Sequence, residues 1–345
     1  MAESVAVHFA RFAETARRRA PLYARLSTAL AQWPSLDGLY ADAPTPARVP
    51  VTLFAAVHYL LLERPNDPLA RFYPNLAGER TDPGDPVPEF LAFCSDRADE
   101  LRAVVSTRLP QTNEIGRACL LVAGFGTLPP GPKAHLDVGT SAGLNLMLDR
   151  LAYSDGAGVI GNSDLVLECS VRPDGSRLAA APPAIASRLG LDANPIDLTD
   201  ASDSRWLEAC VWPDQADRFQ RLERAIALFR SDPVPVRRGD AVADLATALD
   251  ELDDGAPVVT TSWALCYLDA AAQGAWEQEL ERIGAAVDLT WVWVESPVQV
   301  PVLPTGPAFA GSDATLLGVS TWRGGVRSDR VLARCHPHGY WLGWL

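Results

Sequence analysis

The sequence predicts an α/β protein in which an all-helical domain precedes a mostly parallel sheet that ends in an antiparallel hairpin. Three observations predict this class. Apolar residues recur at helical spacing through most of residues 1–130. Short apolar runs then alternate with helical patterns, which is typical of strand–helix–strand units. Near the C-terminal end, two strand-like runs flank Arg323-Gly324-Gly325, which leaves room for a turn but not for a crossover helix.

Residues 1–130 form the predicted helical N-terminal cap domain. Apolar spacing, early prolines and a cap at Thr112 together predict helices over residues 5–18, 21–33, 51–62, 87–106 and 113–123. The intervening residues 65–85 are rich in Pro, Asn, Asp and Gly and are predicted to be loop with one short turn. His58 lies in the most apolar helix, where a lone histidine is more often a hydrogen-bonded core residue than a catalyst.

Residues 131–345 form the predicted α/β domain, which the proline-rich hinge at residues 128–132 connects to the first domain. Apolar runs predict strands over residues 134–138, 234–238, 258–262 and 289–294, and a short strand within residues 189–195 that ends in an acid. Hairpin strands are predicted over 315–322 and 330–335. An alternating run before Pro173-Asp174-Gly175 predicts a further β-hairpin at about residues 160–182. This hairpin would be inserted between the first helix and the second strand of the sheet.

Composition excludes several classes of function. The chain has 345 residues and a net charge of −13, and nucleic-acid binding as the main role needs a basic surface that this sequence lacks. The N-terminal twenty residues carry acids, unlike a signal peptide, and no run of 18 apolar residues predicts a membrane span. Six cysteines occur singly, which favours the cytoplasm and predicts neither disulfides nor a metal site. Nothing in the sequence indicates an oligomeric state.

The segment from Ala134 to Ala152 carries the strongest chemical signal. A short strand leads into the glycine-containing loop 139–143, and apolar residues at helical spacing follow it. Strand, glycine turn and helix begin a Rossmann-like nucleotide-binding domain. Asp137 precedes the loop, and an anion there suits a ligand with a cation or free hydroxyls, such as S-adenosylmethionine, better than a diphosphate. The predicted cofactor-binding residues of this segment are Asp137, Gly139, Ser141, Gly143 and Asn145.

Other strand ends supply further cofactor-binding candidates. Asp192 ends the second predicted strand, where an acid would hold the ribose hydroxyls, and Glu168 is the alternative. Asp240 and Ala241 follow the third strand, where they would contact adenine, although Asp240 would equally serve as a helix cap. Ser262 ends the fourth strand at the same edge of the sheet.

The polar segment before the first strand is predicted to form one wall of the site. Arg117 would bind the carboxylate of the cofactor's amino-acid end, and Glu114 would bind its ammonium group. The two side chains lie three positions apart on a predicted helix, so an internal ion pair between them is the alternative.

The chain resembles an uncharacterised bacterial family, number 2332 in the series of domains of unknown function. The resemblance rests on Thr112 to Arg117, Asp137 to Arg150, Asn194 to Asp197 with Arg205 to Leu207, Val211 to Pro213, Arg238 to Ala241 and His336 to Gly339. The glycine loop is also similar to motif one of class I methyltransferases, which implies S-adenosylmethionine as cofactor and a sheet ending in an antiparallel hairpin. Ser141 stands where that motif has its middle glycine.

These residues predict a methyltransferase that acts on a small-molecule acceptor. Catalysis would consist mainly of orienting the acceptor in line with the sulfonium methyl group, with His338, Tyr267 or Glu114 as a base where the acceptor carries a proton. One alternative is a serine hydrolase, because Gly139 to Gly143 fits the G-x-S-x-G elbow with Ser141 as nucleophile. Its partners would be drawn from His336, His338, Asp240 and Glu295. The other alternative is a non-catalytic nucleotide-binding or scaffold protein.

Overall fold

A computed structural model describes residues 4–345 of the chain. These residues form two compact units. The first comprises the residues up to Thr112 together with Asp197–Arg224, and the second comprises Asn113–Ile196 and Ala225–Leu345. The sequence-based division at residue 130 stays a prediction, because compactness alone does not establish which part of a chain folds independently.

Eleven α-helices occur in the described residues. In chain order, they are α1 Val5–Ala16, α2 Pro21–Leu30, α3 Pro50–Leu62, α4 Pro74–Ala77, α5 Val87–Asp96, α6 Ala98–Thr107, α7 Ala118–Phe125, α8 Ala201–Ala209, α9 Ala216–Ser231, α10 Leu245–Asp250 and α11 Ala270–Ala286. None of the described helices is long and apolar enough to cross a membrane.

Twelve β-strands occur in the same residues. They are β1 Lys133–Val138, β2 Ala152–Ser154, β3 Val159–Ile160, β4 Val166–Glu168, β5 Ser170–Arg172, β6 Ile185–Asp192, β7 Val236–Arg238, β8 Ala256–Ser262, β9 Leu289–Glu295, β10 Thr315–Arg323, β11 Val326–Cys335 and β12 Trp341–Trp344.

The first unit is built around aromatic packing on α3. The ring of Phe54 stacks on Tyr23 at a centroid distance of 4.2 Å and also contacts Phe9 and Phe90. His58 is buried in the same helix, where its Nδ1 donates to the Ala209 carbonyl at 3.0 Å and its Nε2 accepts from the Asn75 amide at 2.9 Å. Burial lowers the pKa of His58 to about 4, so the ring is neutral. The prediction of a hydrogen-bonded core histidine is confirmed.

Two predictions about the first 112 residues are wrong in detail. The single helix predicted over 87–106 is two helices, because Arg97 between α5 and α6 leaves the helical region with φ −118° and ψ 26°. Its guanidinium instead lies against the Phe93 ring and pairs with Asp67 at 3.3 Å. The predicted loop 65–85 contains α4 and two 3-10 turns, the first capped by the Asp67 side chain, which accepts from the Leu69 amide.

The second unit contains a nine-stranded sheet in the order β5-β12-β11-β10-β9-β8-β1-β6-β7. Strands β7, β6, β1, β8 and β9 are mutually parallel, whereas β10 and β11 continue the sheet as an antiparallel hairpin. The predicted antiparallel hairpin is therefore confirmed, but it does not end the sheet, because β12 and β5 continue the sheet beyond β11. The chain runs from β1 to β6 on one side and later to β8 on the other side. This reversal makes the carboxyl ends of β1 and β8 a topological switch point.

The predicted inserted hairpin at residues 160–182 is wrong. Strand β4 pairs in parallel with β2 in a separate three-stranded sheet, and β5 pairs in parallel with β12 at the edge of the large sheet. The turn at Pro173 does form, since Ser176 donates to its carbonyl at 3.1 Å, but no strand returns from it along β5. Alternation in the sequence specifies which residues are strand and leaves their partners open.

Two predicted helices near the glycine loop also differ in the structure. Residues 144–150 form a 3-10 helix with a kink at Met147, not an α-helix. The helix predicted over 113–123 starts as a 3-10 turn at Ile115–Arg117 and becomes α-helical only at α7. The Glu114 side chain caps that turn by accepting from the Gly116 amide at 3.0 Å, a role that the sequence assigned to Thr112.

Candidate functional site

Backbone strain marks the switch point of the sheet. Among the described residues, the non-glycine residues with positive φ are Ser141, at 56°, and Trp263, at 52°. One follows β1 and the other follows β8, so both lie where the two central parallel strands end. Strained residues of this kind cluster at functional sites, since the surrounding structure must hold them against a cost of about 1–3 kcal/mol each. The switch point is therefore the candidate site.

The glycines of the loop serve close packing at this edge. A Cβ atom on Gly139, which has φ 73°, would lie 2.4 Å from the Cβ atom of Ala264 at the end of β8. A Cβ atom on Gly143, which has φ 82°, would lie 2.8 Å from Val236 of β7. Both positions need glycine for backbone conformation and for space. The predicted glycine loop, which follows β1, thus packs closely against the residues after β8 and against the start of β7.

Amide groups of the loop find their acceptors inside the protein. The Gly139 amide donates to the β6 backbone at 2.8 Å. The Ser141 amide donates to Asp192 Oδ2 at 2.7 Å, and the Leu144 amide donates to Asn113 Oδ1 at 3.1 Å. A loop that cradles a diphosphate presents its amides to the ligand. The amides named here are instead bound to acceptors of the protein itself, as expected for a site whose ligand has no diphosphate.

Asp192 lies beside the loop, at the end of β6. Besides the Ser141 amide, its carboxylate accepts from the Asn194 amide at 2.8 Å. Glu168, the alternative, is an exposed residue of β4 in the separate small sheet. The structure therefore brings Asp192 and not Glu168 to the end of the second parallel strand. Contact of Asp192 with a ribose stays a prediction.

Asp240 acts as a turn cap after β7. Its Oδ1 accepts from the amides of Val242, at 2.9 Å, and Ala243, at 2.8 Å, and the side chain is exposed. Ala241 is half-buried and packs on the apolar core between the sheet and α11. The capping interpretation of Asp240 agrees with these contacts, whereas recognition of adenine by Asp240 and Ala241 stays a prediction.

Asn145 is buried directly after the loop. Its Oδ1 has no hydrogen-bond partner within the part of the chain that the structure describes. A buried amide oxygen without a partner costs roughly 1–3 kcal/mol, which makes this atom a candidate for contact with a ligand or a water molecule. Ser262, by contrast, contributes its backbone carbonyl to the site, as the contacts of Arg117 show.

Arg117 connects two separate segments of the site. The buried guanidinium donates from Nη1 to the Ser262 carbonyl at 2.8 Å and from Nε to the Pro337 carbonyl at 2.9 Å. Two of its donors thus hold the end of β8 next to the segment that follows β11. These contacts favour a structural role over the predicted bond to a cofactor carboxylate, which stays a prediction.

Two of the three predicted catalytic residues lie next to each other. Nδ1 of the half-buried His338 lies 3.6 Å from Oε2 of the buried Glu114. The main-chain amide of His338 donates to His336 Nδ1 at 3.1 Å, which fixes the orientation of the second ring. The two segments meet backbone to backbone, because a Cβ atom on Gly339 would lie 1.9 Å from the Gly116 carbonyl oxygen. The third predicted residue, Tyr267, is 81% exposed on the turn that follows β8.

Glu295 is a buried acid at the end of β9. Its Oε1 accepts from the amides of Ala264, at 3.0 Å, and Leu265, at 3.3 Å. Burial raises the pKa of Glu295 to about 7, although the two amides and the positive charge of Arg117 oppose the shift. The sequence indicated Glu295 only as an acid for a hydrolase. Its position directly after an apolar strand was the signal for a buried carboxyl group.

Asp137 is buried within β1, on the same face as His135, whose ring contacts Phe125 of α7. The Thr260 hydroxyl of β8 donates to its Oδ1 at 2.5 Å, and His135 Nε2 lies 2.8 Å from the same hydroxyl. Burial raises the pKa of Asp137 to about 6, while the hydrogen bond from Thr260 and the nearby Thr140 hydroxyl oppose the shift. Sequence reasoning missed His135 and Thr260. The pattern that could have indicated His135 is the placement of polar residues at alternate positions of the otherwise apolar strand β1. Thr260 is likewise a polar residue in an apolar strand.

Comparison with protein families settles membership. The model of the family described as "Uncharacterized protein conserved in bacteria (DUF2332)" matches residues 6–344. The chain belongs to this family. No curated protein and no solved structure matches it.

Three of the segments that carried the resemblance to DUF2332 meet at the candidate site. Residues 113–117 contact the start of the 3-10 helix after the glycine loop through the bond from the Leu144 amide to Asn113, and they contact the segment 336–339 through Glu114 and His338. Within the described residues, no group of three or more His, Cys, Asp or Glu side chains is arranged to hold a metal ion. The site therefore consists of carboxylates, histidines and one arginine at the carboxyl ends of parallel strands.

Proposed function

We propose that the chain is an S-adenosylmethionine-dependent methyltransferase that acts on a small-molecule acceptor. One observation carries the proposal. The acid that ends β6 and the loop that ends β1 are joined by the hydrogen bond from the Ser141 amide to Asp192. A nucleoside lying across the switch point would meet both at once, with its ribose hydroxyls at the Asp192 carboxylate.

The charges of the site suit a ligand with positive groups. Asp137, Glu114 and Glu295 are buried acids at this edge of the sheet, and Arg117 is the buried cation among them. S-adenosylmethionine carries a sulfonium and an ammonium group, and carboxylates in a low-dielectric site attract such cations strongly. We assign Asp137 and Glu114 to the positive groups of the cofactor. Arg117 is then a positioning residue that holds the wall carrying Glu114.

The adjacent His338 and Glu114 supply a base. The reaction forms a bond between the acceptor and the methyl carbon and breaks the bond from that carbon to sulfur, so that the sulfonium becomes a neutral thioether. An acceptor that starts with a proton must lose it, and His338 beside the Glu114 carboxylate would take it. Tyr267 at the exposed rim would contact the acceptor. Most of the rate enhancement would come from orientation of the two reactants.

Binding of the cofactor is the first test. S-adenosylmethionine or its demethylated product should raise the melting temperature with concentration, by an amount that corresponds to about 2.7 kcal/mol at one hundred times Kd. Asp192→Asn should weaken binding by about 1.5–3 kcal/mol, because a charged hydrogen-bond acceptor is lost. The matched control is Glu168→Gln, an exposed acid of the small sheet. Absence of any shift with either nucleoside at millimolar concentration would contradict the proposal.

The serine hydrolase is a second candidate because of one observation. Ser141 has φ 56°, and a nucleophile elbow holds its serine in such a strained turn between a strand and a helix. Ser141 is nevertheless only 3% exposed, whereas an elbow presents its hydroxyl to the substrate. Labelling by a fluorophosphonate that disappears in Ser141→Ala but persists in Ser231→Ala, an exposed serine, would establish the hydrolase instead.

A further inference from the structure

Three polar side chains form a continuous chain beneath the glycine loop. His135 and Asp137 occupy alternate positions of β1 and therefore face the same side, and Thr260 is paired with Asp137 across the β1–β8 register. The distances are 2.8 Å from His135 Nε2 to Thr260 Oγ1 and 2.5 Å from Thr260 Oγ1 to Asp137 Oδ1. His135 and Thr260 are 0% exposed and Asp137 is 2% exposed.

The hydrogen bonds of this chain run in one direction. A threonine hydroxyl has a single proton, and that of Thr260 is donated to the Asp137 carboxylate. The same oxygen must then accept from His135, which places the imidazole proton on Nε2. Burial lowers the pKa of His135 to about 3, so the ring donates without carrying a charge. In this tautomer Nδ1 carries no proton, and it has no hydrogen-bond partner in the described residues.

Reversal of the chain would leave a buried donor without a partner. If Asp137 took up a proton and donated to Thr260, then Thr260 would donate to His135 Nε2 and the imidazole proton would move to Nδ1. That N–H would be buried and unpaired, an arrangement that proteins rarely contain. The geometry therefore favours the arrangement in which Asp137 is the final acceptor and carries the negative charge.

We propose that His135 and Thr260 are positioning residues that hold Asp137 as an oriented anion at the carboxyl end of β1. The identity of the cation that Asp137 would bind rests on the proposed function, whereas the donor chain does not. Thr260 fixes one carboxylate oxygen, and this sets the direction in which the other faces. A neutral histidine behind Thr260, with its proton on Nε2, keeps the hydroxyl pointing at Asp137.

Other groups act on Asp137 from the neighbouring elements. The negative charge of Asp192 on β6 opposes its ionisation, and the positive charge of Arg117 in the 3-10 turn before α7 favours it, as does the Thr140 hydroxyl in the glycine loop. The ion pair of Arg188 and Asp149 lies near His135 and affects that ring with opposite signs. The Thr140 hydroxyl has no hydrogen-bond partner in the described residues, so Thr260 is the neutral side chain whose hydrogen bond to Asp137 the substitution must remove.

Thr260→Val is the decisive variant, because valine has nearly the shape of threonine without the hydroxyl. Thr260→Ser keeps the hydroxyl and is the matched control. The ionisation of Asp137 would be followed in the ligand-free protein by carboxyl ¹³C NMR, with the resonance assigned by its loss in Asp137→Asn. We expect the wild-type protein and Thr260→Ser to titrate alike, near pH 6, and Thr260→Val to titrate at least one pH unit higher. Should Thr260→Val fail to fold, Thr260→Cys replaces it: cysteine is a weaker donor of similar size, so Asp137 should titrate at higher pH than in the wild-type protein, and an unchanged titration would overturn the donor chain.

Binding of S-adenosylmethionine is the second readout. If Asp137 titrates near pH 7, its ionised fraction at pH 7 falls about twofold, and if it titrates near pH 8, that fraction falls about tenfold. Binding at pH 7 should weaken by the same factor and recover at pH 9, where the carboxyl group ionises again. If the Thr260 hydroxyl were important only for the local structure, its loss would weaken binding equally at pH 7 and at pH 9. An unchanged Asp137 titration in folded Thr260→Val overturns the donor chain, whatever the ligand result. If Asp137 titrates at higher pH in Thr260→Val but no nucleoside binds to the wild-type protein, the donor chain is upheld and the proposed function is overturned instead.

Discussion

Replacing Glu295 by glutamine should make the protein more stable at alkaline pH. Glu295 is fully buried, and its Oε1 accepts from the amides of Ala264 and Leu265. Glutamine has nearly the same shape and retains an oxygen that can accept both hydrogen bonds. The variant therefore removes the charge and its desolvation cost while it preserves the cap on the turn that follows β8.

The magnitude follows from the raised pKa of Glu295. Burial raises that pKa from 4.5 to about 7, and a shift of this size corresponds to about 3 kcal/mol. Below pH 4.5 the carboxyl group is protonated in both states and burial has no ionic cost. Between pH 4.5 and 7 the unfolded chain loses the proton while the folded protein retains it, so stability falls as pH rises. Above pH 7 the full cost is present, and glutamine avoids it.

Urea unfolding at pH 4 and at pH 8 measures this effect. The free energy of unfolding of Glu295→Gln minus that of the wild-type protein should be larger at pH 8 than at pH 4 by about 3 kcal/mol. Glu168→Gln, at an exposed position, corrects for the general effect of losing one acid. If the difference for Glu295→Gln is the same at both pH values, Glu295 is not a buried carboxyl group with a raised pKa and the reasoning is refuted.

Three further substitutions test individual contacts, each by thermal or urea unfolding of the ligand-free protein. Arg117→Lys should lower the free energy of unfolding by about 1–3 kcal/mol, because an ammonium group cannot reach both backbone carbonyls. An unchanged free energy of unfolding would instead favour the predicted bond from Arg117 to the cofactor carboxylate. Gly339→Ala should cost about 1–3 kcal/mol more than Gly324→Ala, since both glycines have positive φ but only Gly339 would place a Cβ atom against another backbone. Asp240→Ala should cost about 0.5–2 kcal/mol through its lost cap; if nucleoside affinity falls as well, the residue has more than a capping role.

Local patterns in the sequence predicted seven of the nine strands of the large sheet, whereas β12 was not predicted and β5 was assigned to an inserted hairpin. The five parallel strands and the terminal hairpin were recognisable because each is an apolar or alternating run between turn residues. Asp192 was placed correctly at a strand end because the chain leaves β6 directly after it. These features depend on neighbouring residues, which the sequence displays side by side.

Features that depend on distant residues were not predictable in the same way. The partner of β5 is β12, from the other end of the second unit, and nothing within residues 160–182 indicates that choice. The start of the turn before α7 depends on Gly116 meeting the backbone of His338. The bond between Thr260 and Asp137 depends on the register of β8 against β1. A single sequence gives residue types at each position but not the pairings that tertiary structure creates.

The strand order also has a consequence for how the molecule folds. Strands β9, β10 and β11 are consecutive in the chain and neighbours in the sheet, so they can associate by closing comparatively short loops. Strand β1 must instead find β6 on one side and β8 on the other, both distant along the chain, and such non-local pairings form slowly. The candidate site lies at the end of β1. Its chemistry can therefore appear only after the slowest pairings are complete, and a partly folded chain would contain the hairpin without the site.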